Sequence, residues 1–202
     1  MLLDKEEYLS AGLNIGMRRK VEDMEPFIFR VKKNKLAIID LEQTDERIQT
    51  AARFLSEYDP EDILVISRKE AGHKPVVTFA EATGAERIYG RFMPGTLTNP
   101  MSDDYREPEV VVVTDPKEDK QVVKEAVNAR IPVVAIADTV NKLEYVDLAI
   151  PANNKGTRSL AVIYYLLARE YQKHRGELEE DDDFEYTIDM FEAEDVAEEE
   201  EE

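Results

Sequence analysis

Three short runs in this chain are apolar at every position: Ile63-Leu-Val-Ile66, Val110-Val-Val-Val113 and Val133-Val-Ala-Ile-Ala137. A strand with one wet face alternates apolar and polar residues. A run with no alternation must be buried on both faces, which is the habit of a parallel sheet covered by helices on each side. The stretches between the runs supply the helices. Ile48, Ala51, Ala52 and Leu55 fall at helical spacing after Thr44, which reads as an N-cap with Asp45 and Glu46 in the first turn. Lys74 to Thr83 reads as a second helix, closed by Gly84. Asp115-Pro116-x-Glu118 combines an N-cap acid, a proline at the first helical position and a capping-box glutamate, before an inner face of Val122, Val123, Ala126 and Val127. Thr157 is expected to cap a last helix lined by Leu160, Ile163, Tyr164, Leu167 and Tyr171.

With Leu36–Asp40 as a short buried strand and Val146–Ile150 as the last one, residues 36–174 alternate strand and helix. The fold class expected is α/β: a doubly wound, mostly parallel sheet with helices on both faces. Asp59-Pro60 closes the first unit, and residues 90–108, with Pro94, Gly95, Asn99, Pro100 and Pro108, form a long ordered loop. Three regions follow: an N-terminal extension over 1–35 with helical and basic segments, a core domain over 36–176, and an acidic tail over 177–202 that is expected to be disordered. Phe184, Tyr186, Ile188, Met190 and Phe191 interrupt that tail and are available to dock on a partner.

Charge divides along the same line. The formal net charge is −19, but the 26 residues from Glu177 hold 16 of the 45 acids and none of the 26 Lys and Arg. The first 176 residues are left with 29 acids against 26 bases, a net of −3. A near-neutral body can carry a basic face, and the local field decides polyanion binding. The absence of cysteine removes disulfides and thiolate metal sites and fits a reducing cytosol. The acidic start shows no secretion signal. The longest apolar run, Ala161–Ala168, is well short of the roughly 18 residues of a membrane span.

Motifs for catalysis are missing. No Gly-x-Gly-x-x-Gly, P-loop or Gly-x-Ser-x-Gly elbow is present. His73 and His174 have no metal-ligand spacing, so no metal, cofactor or catalytic residue is expected. Asp40, Asp115 and Asp138 at strand ends are the most enzyme-like feature and motivate an alternative, a small-molecule or nucleotide-binding enzyme on this fold. Turn and capping roles account for them more simply.

The basic residues gather in loops. Arg18, Arg19 and Lys20 form one group, and Arg30, Lys32, Lys33 and Lys35 a second. Arg68-Lys69 and His73-Lys74 follow a strand, Arg91 opens the long loop, and Asn153-Asn-Lys-Gly-Thr-Arg158 joins the last strand to the last helix. Lys155-Gly156-Thr157 at a helix start offers N–H groups, a hydroxyl and a charge to one anion. Arg18, Arg19, Lys20, Arg30, Lys32, Lys33, Arg91, Asn153, Asn154, Lys155 and Arg158 are therefore the candidate RNA-binding residues, with Asn99 a further polar loop residue.

The stretches Gly90-Arg-Phe-Met-Pro-Gly-Thr-Leu-Thr-Asn99, Arg106-Glu-Pro108, Val111-Val-Val-Thr-Asp-Pro116 and Tyr145-Val-Asp-Leu-Ala-Ile-Pro-Ala-Asn-Asn-Lys-Gly156 resemble the ribosomal protein S-two family. Ile38–Thr44 and Leu166–Glu170 add to the match, which runs in order over roughly residues 8–175 and is to the archaeal and eukaryotic branch. The resemblance implies a flavodoxin-like fold and a non-catalytic role on the solvent side of the small ribosomal subunit, near the junction of head and body. It implies small-subunit rRNA and neighbouring ribosomal proteins as partners, with no DNA and no membrane, in the cytoplasm. The coiled coil of bacterial members has no room in residues 90–108. Where members of the family often have Gly-x-His-x-Gly, this chain has Gly12-Leu-Asn-Ile-Gly16, which puts a role for that histidine in doubt. The laminin-binding role described for the eukaryotic relative has no support here.

Overall fold

The computed structural model describes residues 1–179 and 184–193. Its elements in chain order are α1 (Lys5–Ser10), β1 (Ile28–Val31), β2 (Ala37–Ile39), α2 (Leu41–Leu55), β3 (Ile63–Ser67), α3 (His73–Thr83), β4 (Glu86–Tyr89), β5 (Val110–Val113), α4 (Lys120–Ala129), β6 (Val133–Ala137), β7 (Leu148–Pro151), α5 (Thr157–Arg175) and α6 (Ile188–Phe191). The main sheet has the order β4-β3-β5-β6-β7 with every pairing parallel. Numbered from its own first strand the order is 2-1-3-4-5, the flavodoxin-like arrangement, and the fold is doubly wound α/β as the apolar runs require.

The unbroken runs serve two cores. Ile63, Val65, Val110, Val112, Val134, Ile136 and Ile150 pack toward α2, α3 and α5. Leu64, Ile66, Val111, Val113, Val133 and Ala135 pack with α4 and with Phe92 and Leu97 of the long loop. One face thus carries three helices; the other carries a single helix, the long loop and the Glu22–Phe27 turn, whose Met24 and Phe27 pack with Ala137 and Ala149. Glu125, buried in α4, holds that loop in place. Its carboxylate accepts from Gly95 N at 2.8 Å, Leu97 N at 3.1 Å and Gln121 Nε2 at 2.7 Å.

The helix starts depart from expectation in three places. Asp40, not Thr44, is the N-cap of α2 and accepts from Glu42 N at 3.0 Å; Thr44 is buried, its hydroxyl donating to Pro151 O at 2.6 Å. Asp115 does not start α4. Residues 115–119 make a separate turn, Asp115 accepts from Lys117 N at 2.9 Å, and the helix begins at Lys120. Thr157 is the first residue of α5, with Gly156 as the cap and no side-chain cap bond. In each case a cap-competent residue sits within a turn of the true start, and for Thr44 and Asp115 the side chain is taken by a tertiary partner, Pro151 O and Lys69 with Asn141.

Residues 1–35 are built into the body. Tyr8 and Leu13 are fully buried, and the Tyr8 hydroxyl donates to Asp45 Oδ1 at 2.6 Å. Burial and that carboxylate together push the Tyr8 phenol well above its ordinary value. Strand β1 pairs antiparallel with β2 in a separate two-stranded sheet, so the strand near Leu36 lies outside the main one.

The tail also differs from the expectation of disorder wherever it is described. Phe191 has no exposure and Phe184 is 8% exposed. Tyr165 of α5 meets Phe184 and Phe191 edge-on at 5.4 and 6.0 Å between centroids, and Thr78 of α3 donates to Met190 O at 3.1 Å. The partner for those aromatics is the chain's own α3–α5 face, because burying two phenylalanines outweighs the repulsion of their acidic neighbours. Residues 180–183 and 194–202 lie outside the described residues.

Candidate RNA-binding surface and the closed switch point

In a flavodoxin-like sheet, ligands sit beyond the carboxyl ends of the strands where the winding reverses, here between β3 and β5. That point is filled by the chain itself. Ser67 and Thr114 at the strand ends are fully buried, as is Asn154, and Asp115, Asp119 and Asn141 are nearly so. Asp115 forms an ion pair with Lys69 and accepts from Asn141 Nδ2 at 2.7 Å. Lys69 also donates to Asn154 O at 3.0 Å. The Asn154 amide donates to Ile136 O at 3.0 Å, Asn141 Oδ1 at 3.1 Å and Thr114 O at 3.3 Å, tying three strand exits together. A Cβ at Gly72 would stand 2.2 Å from Ser67 Oγ, so the turn after β3 lies directly on the strand end and leaves no cleft.

Asp119 accepts from Arg68 N at 2.9 Å and Asp115 N at 3.1 Å. Burial, with Asp115 beside it, outweighs those bonds and the nearby Lys69 and pushes its carboxyl up to about 7. Asp138 is buried as well, accepting from Thr139 N at 2.6 Å. Its Oδ2 makes no hydrogen bond among the described residues, yet the Lys155 ammonium lies 3.2 Å away. The contact is charge compensation without an aligned hydrogen bond. The three strand-end acids are structural: Asp40 caps, Asp115 is ion-paired, and Asp138 neutralises Lys155. No group of three or more acids, His or Cys fit to hold a metal occurs among the described residues.

The candidate cations gather around this closed centre. Arg68 follows β3, Arg91 follows β4, and Lys155 and Arg158 follow β7. The segment with Arg18 and Arg19 is fastened over the exit of β6: Met17 N donates to Thr139 Oγ1 at 2.9 Å and Thr139 Oγ1 to Arg19 O at 3.2 Å. A Cβ at Gly16 would come within 2.5 Å of Thr139 Cγ2, which explains the second glycine of Gly12-x-x-x-Gly16. Ile15 bridges Ile38 of β2, so the hairpin bearing Arg30, Lys32 and Lys33 is rooted at the same end.

These residues are not equally available. Arg18, Arg19, Arg30, Lys32, Lys33 and Arg91 are exposed with no ion pair among the described residues. Lys20 pairs with Glu25 at 2.7 Å. Arg158 is held by Glu192 at 2.6 Å and Asp189 at 3.5 Å, both from the docked tail. Asn154 is enclosed and cannot reach a partner. Asn153 donates to Gly12 O at 3.1 Å and accepts from Lys155 N at 3.0 Å, holding two loops together. Asn154 positions the surface from beneath, while Asn153 is half-buried and stays partly exposed on it. Asn99 is exposed, its Oδ1 accepting from Met101 N at 3.2 Å.

Two aromatic residues on this rim escaped the sequence reading. Tyr89 is 56% exposed at the end of β4, its ring 5.6 Å from that of His73. Phe29 is 67% exposed, with the Arg30 guanidinium 6.0 Å from its centroid. An aromatic next to an arginine in a short strand was the available signal.

The class the fold defines is a doubly wound, flavodoxin-like α/β domain whose carboxyl-end crevice is filled by its own side chains, with exposed cations and rings around it. A family model for ribosomal protein S2 matches residues 8–102 and 100–173. The chain is 50% identical over 193 residues to the small ribosomal subunit protein uS2 of Thermoplasma volcanium, covering 96% of this chain and 97% of the relative. The protein of the same name from Thermoplasma acidophilum matches to the same extent, and that of Picrophilus torridus is 45% identical over 96% of both chains. The chain belongs to the ribosomal protein S2 family, in agreement with its archaeal branch, and its role is structural, not enzymatic.

Proposed function

We propose that this chain is a structural constituent of the cytoplasmic small ribosomal subunit that docks its carboxyl-end rim on small-subunit rRNA and meets neighbouring ribosomal proteins. Arg18, Arg19, Arg30, Lys32, Lys33, Arg91 and Lys155 take phosphates, joined by Arg68. Tyr89 and Phe29 offer faces to unstacked bases, each stack contributing roughly 1–3 kcal/mol. RNA helices are read by shape, phosphates and 2′-hydroxyls, so sequence preference is slight.

One observation supports this reading above others: the candidate cations, scattered through the sequence, are rooted at one end of the sheet. The helices of the parallel units start at that end too and add the positive ends of their dipoles. The test is sedimentation of a tagged copy with small subunits through sucrose at rising salt. Eight phosphate contacts give a slope of log K on log salt of about −6 to −7. Free sedimentation at low salt, or a specific nucleotide that raises the melting temperature with magnesium, would favour the enzyme alternative instead.

A further inference from the structure

The α4 face of the sheet carries a groove apart from the residues assigned to RNA above. It has a volume of about 760 Å³ and lies between α4 and the 140–145 loop. Its floor is apolar: Val21, Val123, Val127 and Val140 line it, and Val127 stays 39% exposed although its helix packs on the sheet. Tyr145 closes one side, 62% exposed and with a backbone φ of +65° that a side-chain-bearing residue rarely adopts. Lys117, Lys120, Lys124 and Lys142 stand around the floor, all exposed and without an ion pair among the described residues, against one exposed acid in the lining, Glu144.

We propose that this groove is a protein-docking site, filled in the subunit by an acidic segment of another ribosomal protein that carries apolar side chains. The charge pattern selects that occupant. Four gathered ammonium groups repel one another and call for carboxylates or phosphates. The valine floor calls for aliphatic or aromatic side chains, which a phosphodiester chain does not have, so the combination fits a peptide better than RNA. The chain's own tail is the other acidic candidate. Its described part ends at Ala193 on the α3–α5 side, across the sheet from α4, with Glu192 already paired to Arg158.

Replacing Tyr145 with the photo-crosslinker p-benzoylphenylalanine, in purified assembled subunits, tests the proposal; Val127 serves as a second site. The expected adduct is ribonuclease-resistant and maps by mass spectrometry to an acidic, apolar-containing segment of one subunit protein. Its yield falls at least tenfold when the exposed pair is changed to Lys120→Glu and Lys124→Glu in a copy that still sediments with the subunit. An adduct to rRNA, to a basic segment or to the chain's own residues 194–202 overturns the proposal. So does the absence of any adduct from both sites, which is read without the charge variants.

Discussion

The two ends of the main sheet differ in the charge they expose. Where strands leave the sheet, Arg68, Arg91, Lys117, Lys120 and Lys155 are exposed; Asp115, Asp119 and Asp138 there are buried and bonded inward, which leaves Glu70 and Glu118 as the exposed acids of the turns after β3 and β5. Where strands enter, Glu57, Asp59, Glu61, Glu107, Glu109 and Asp147 are exposed. Two arginines at that end are committed, Arg106 lying 2.6 Å from Glu86 and Arg175 bonding Glu177 at 2.9 Å, while Arg53 and Arg130 have no ion pair among the described residues. A net charge of −3 for the body hides this polarity. The fold itself sorts the charge, because every strand-to-helix loop of a parallel sheet must emerge at the same end as the helix N-termini. Four changes, from the largest expected effect to the smallest, test how deep the difference runs.

The closed centre sets the first. Asp119 has its carboxyl pushed up to about 7 in the fold, against 3.8 in the unfolded chain. Below about 4 both states are protonated and the fold keeps its full stability. As pH rises from about 4 to about 7 the unfolded chain ionises first, so stability falls, by on the order of 4 kcal/mol for this group alone. Asp119→Asn should flatten urea-melt stability across that window, while Asp147→Asn at the entering end should leave its slope in place. An unchanged slope in Asp119→Asn means the buried carboxyl is not the source.

Asn154→Ala removes the amide that ties Thr114 O, Ile136 O and Asn141 Oδ1 together. Orphaned buried acceptors should lower stability by about 2–3 kcal/mol in chemical denaturation. Glu61→Ala, at the other end, should stay within about 0.5 kcal/mol. Next comes the rim. The triple change Arg30, Lys32 and Lys33 to Ala should weaken affinity for an rRNA fragment at least tenfold and make the salt slope shallower by about 2–3. Neutralising Glu57, Asp59 and Glu61 should shift neither by as much. Equal effects at the two ends would erase the functional polarity.

The sequence made the sheet legible because uninterrupted β-branched runs have few other places to go. The cationic loops were legible for a related reason, since Lys and Arg without nearby acids stand out in a near-neutral body. What stayed hidden depended on tertiary partners. Thr44 looks like a cap until Pro151 O claims its hydroxyl, and Asn154 looks like a surface residue until three strand exits are seen to converge on it. Phe184 and Phe191 were visible as anomalies in an acidic tail, but only the bare α3–α5 face explains where they go. Arg158 was visible as a cation, whereas the carboxylates that hold it come from residues more than 30 positions away.

That last pair gives the smallest and sharpest test. Arg158 belongs to the cationic end by position, yet Glu192 and Asp189 occupy it, so the docked tail takes one charge away from the rim. An exposed ion pair of this kind contributes only about 0.2–1 kcal/mol, so RNA phosphates compete with it readily. Asp189→Asn with Glu192→Gln leaves Phe184 and Phe191 to keep the tail seated and sets the guanidinium free. Affinity for the rRNA fragment should then rise by a few-fold, and the salt slope should steepen by less than one unit, the increment of a single phosphate contact. Reversing the arginine itself, Arg158→Glu, in the same background should abolish that gain. If the double change leaves both affinity and slope untouched, Arg158 serves only to pin the tail, and the cationic end is smaller by one residue than its charge implies.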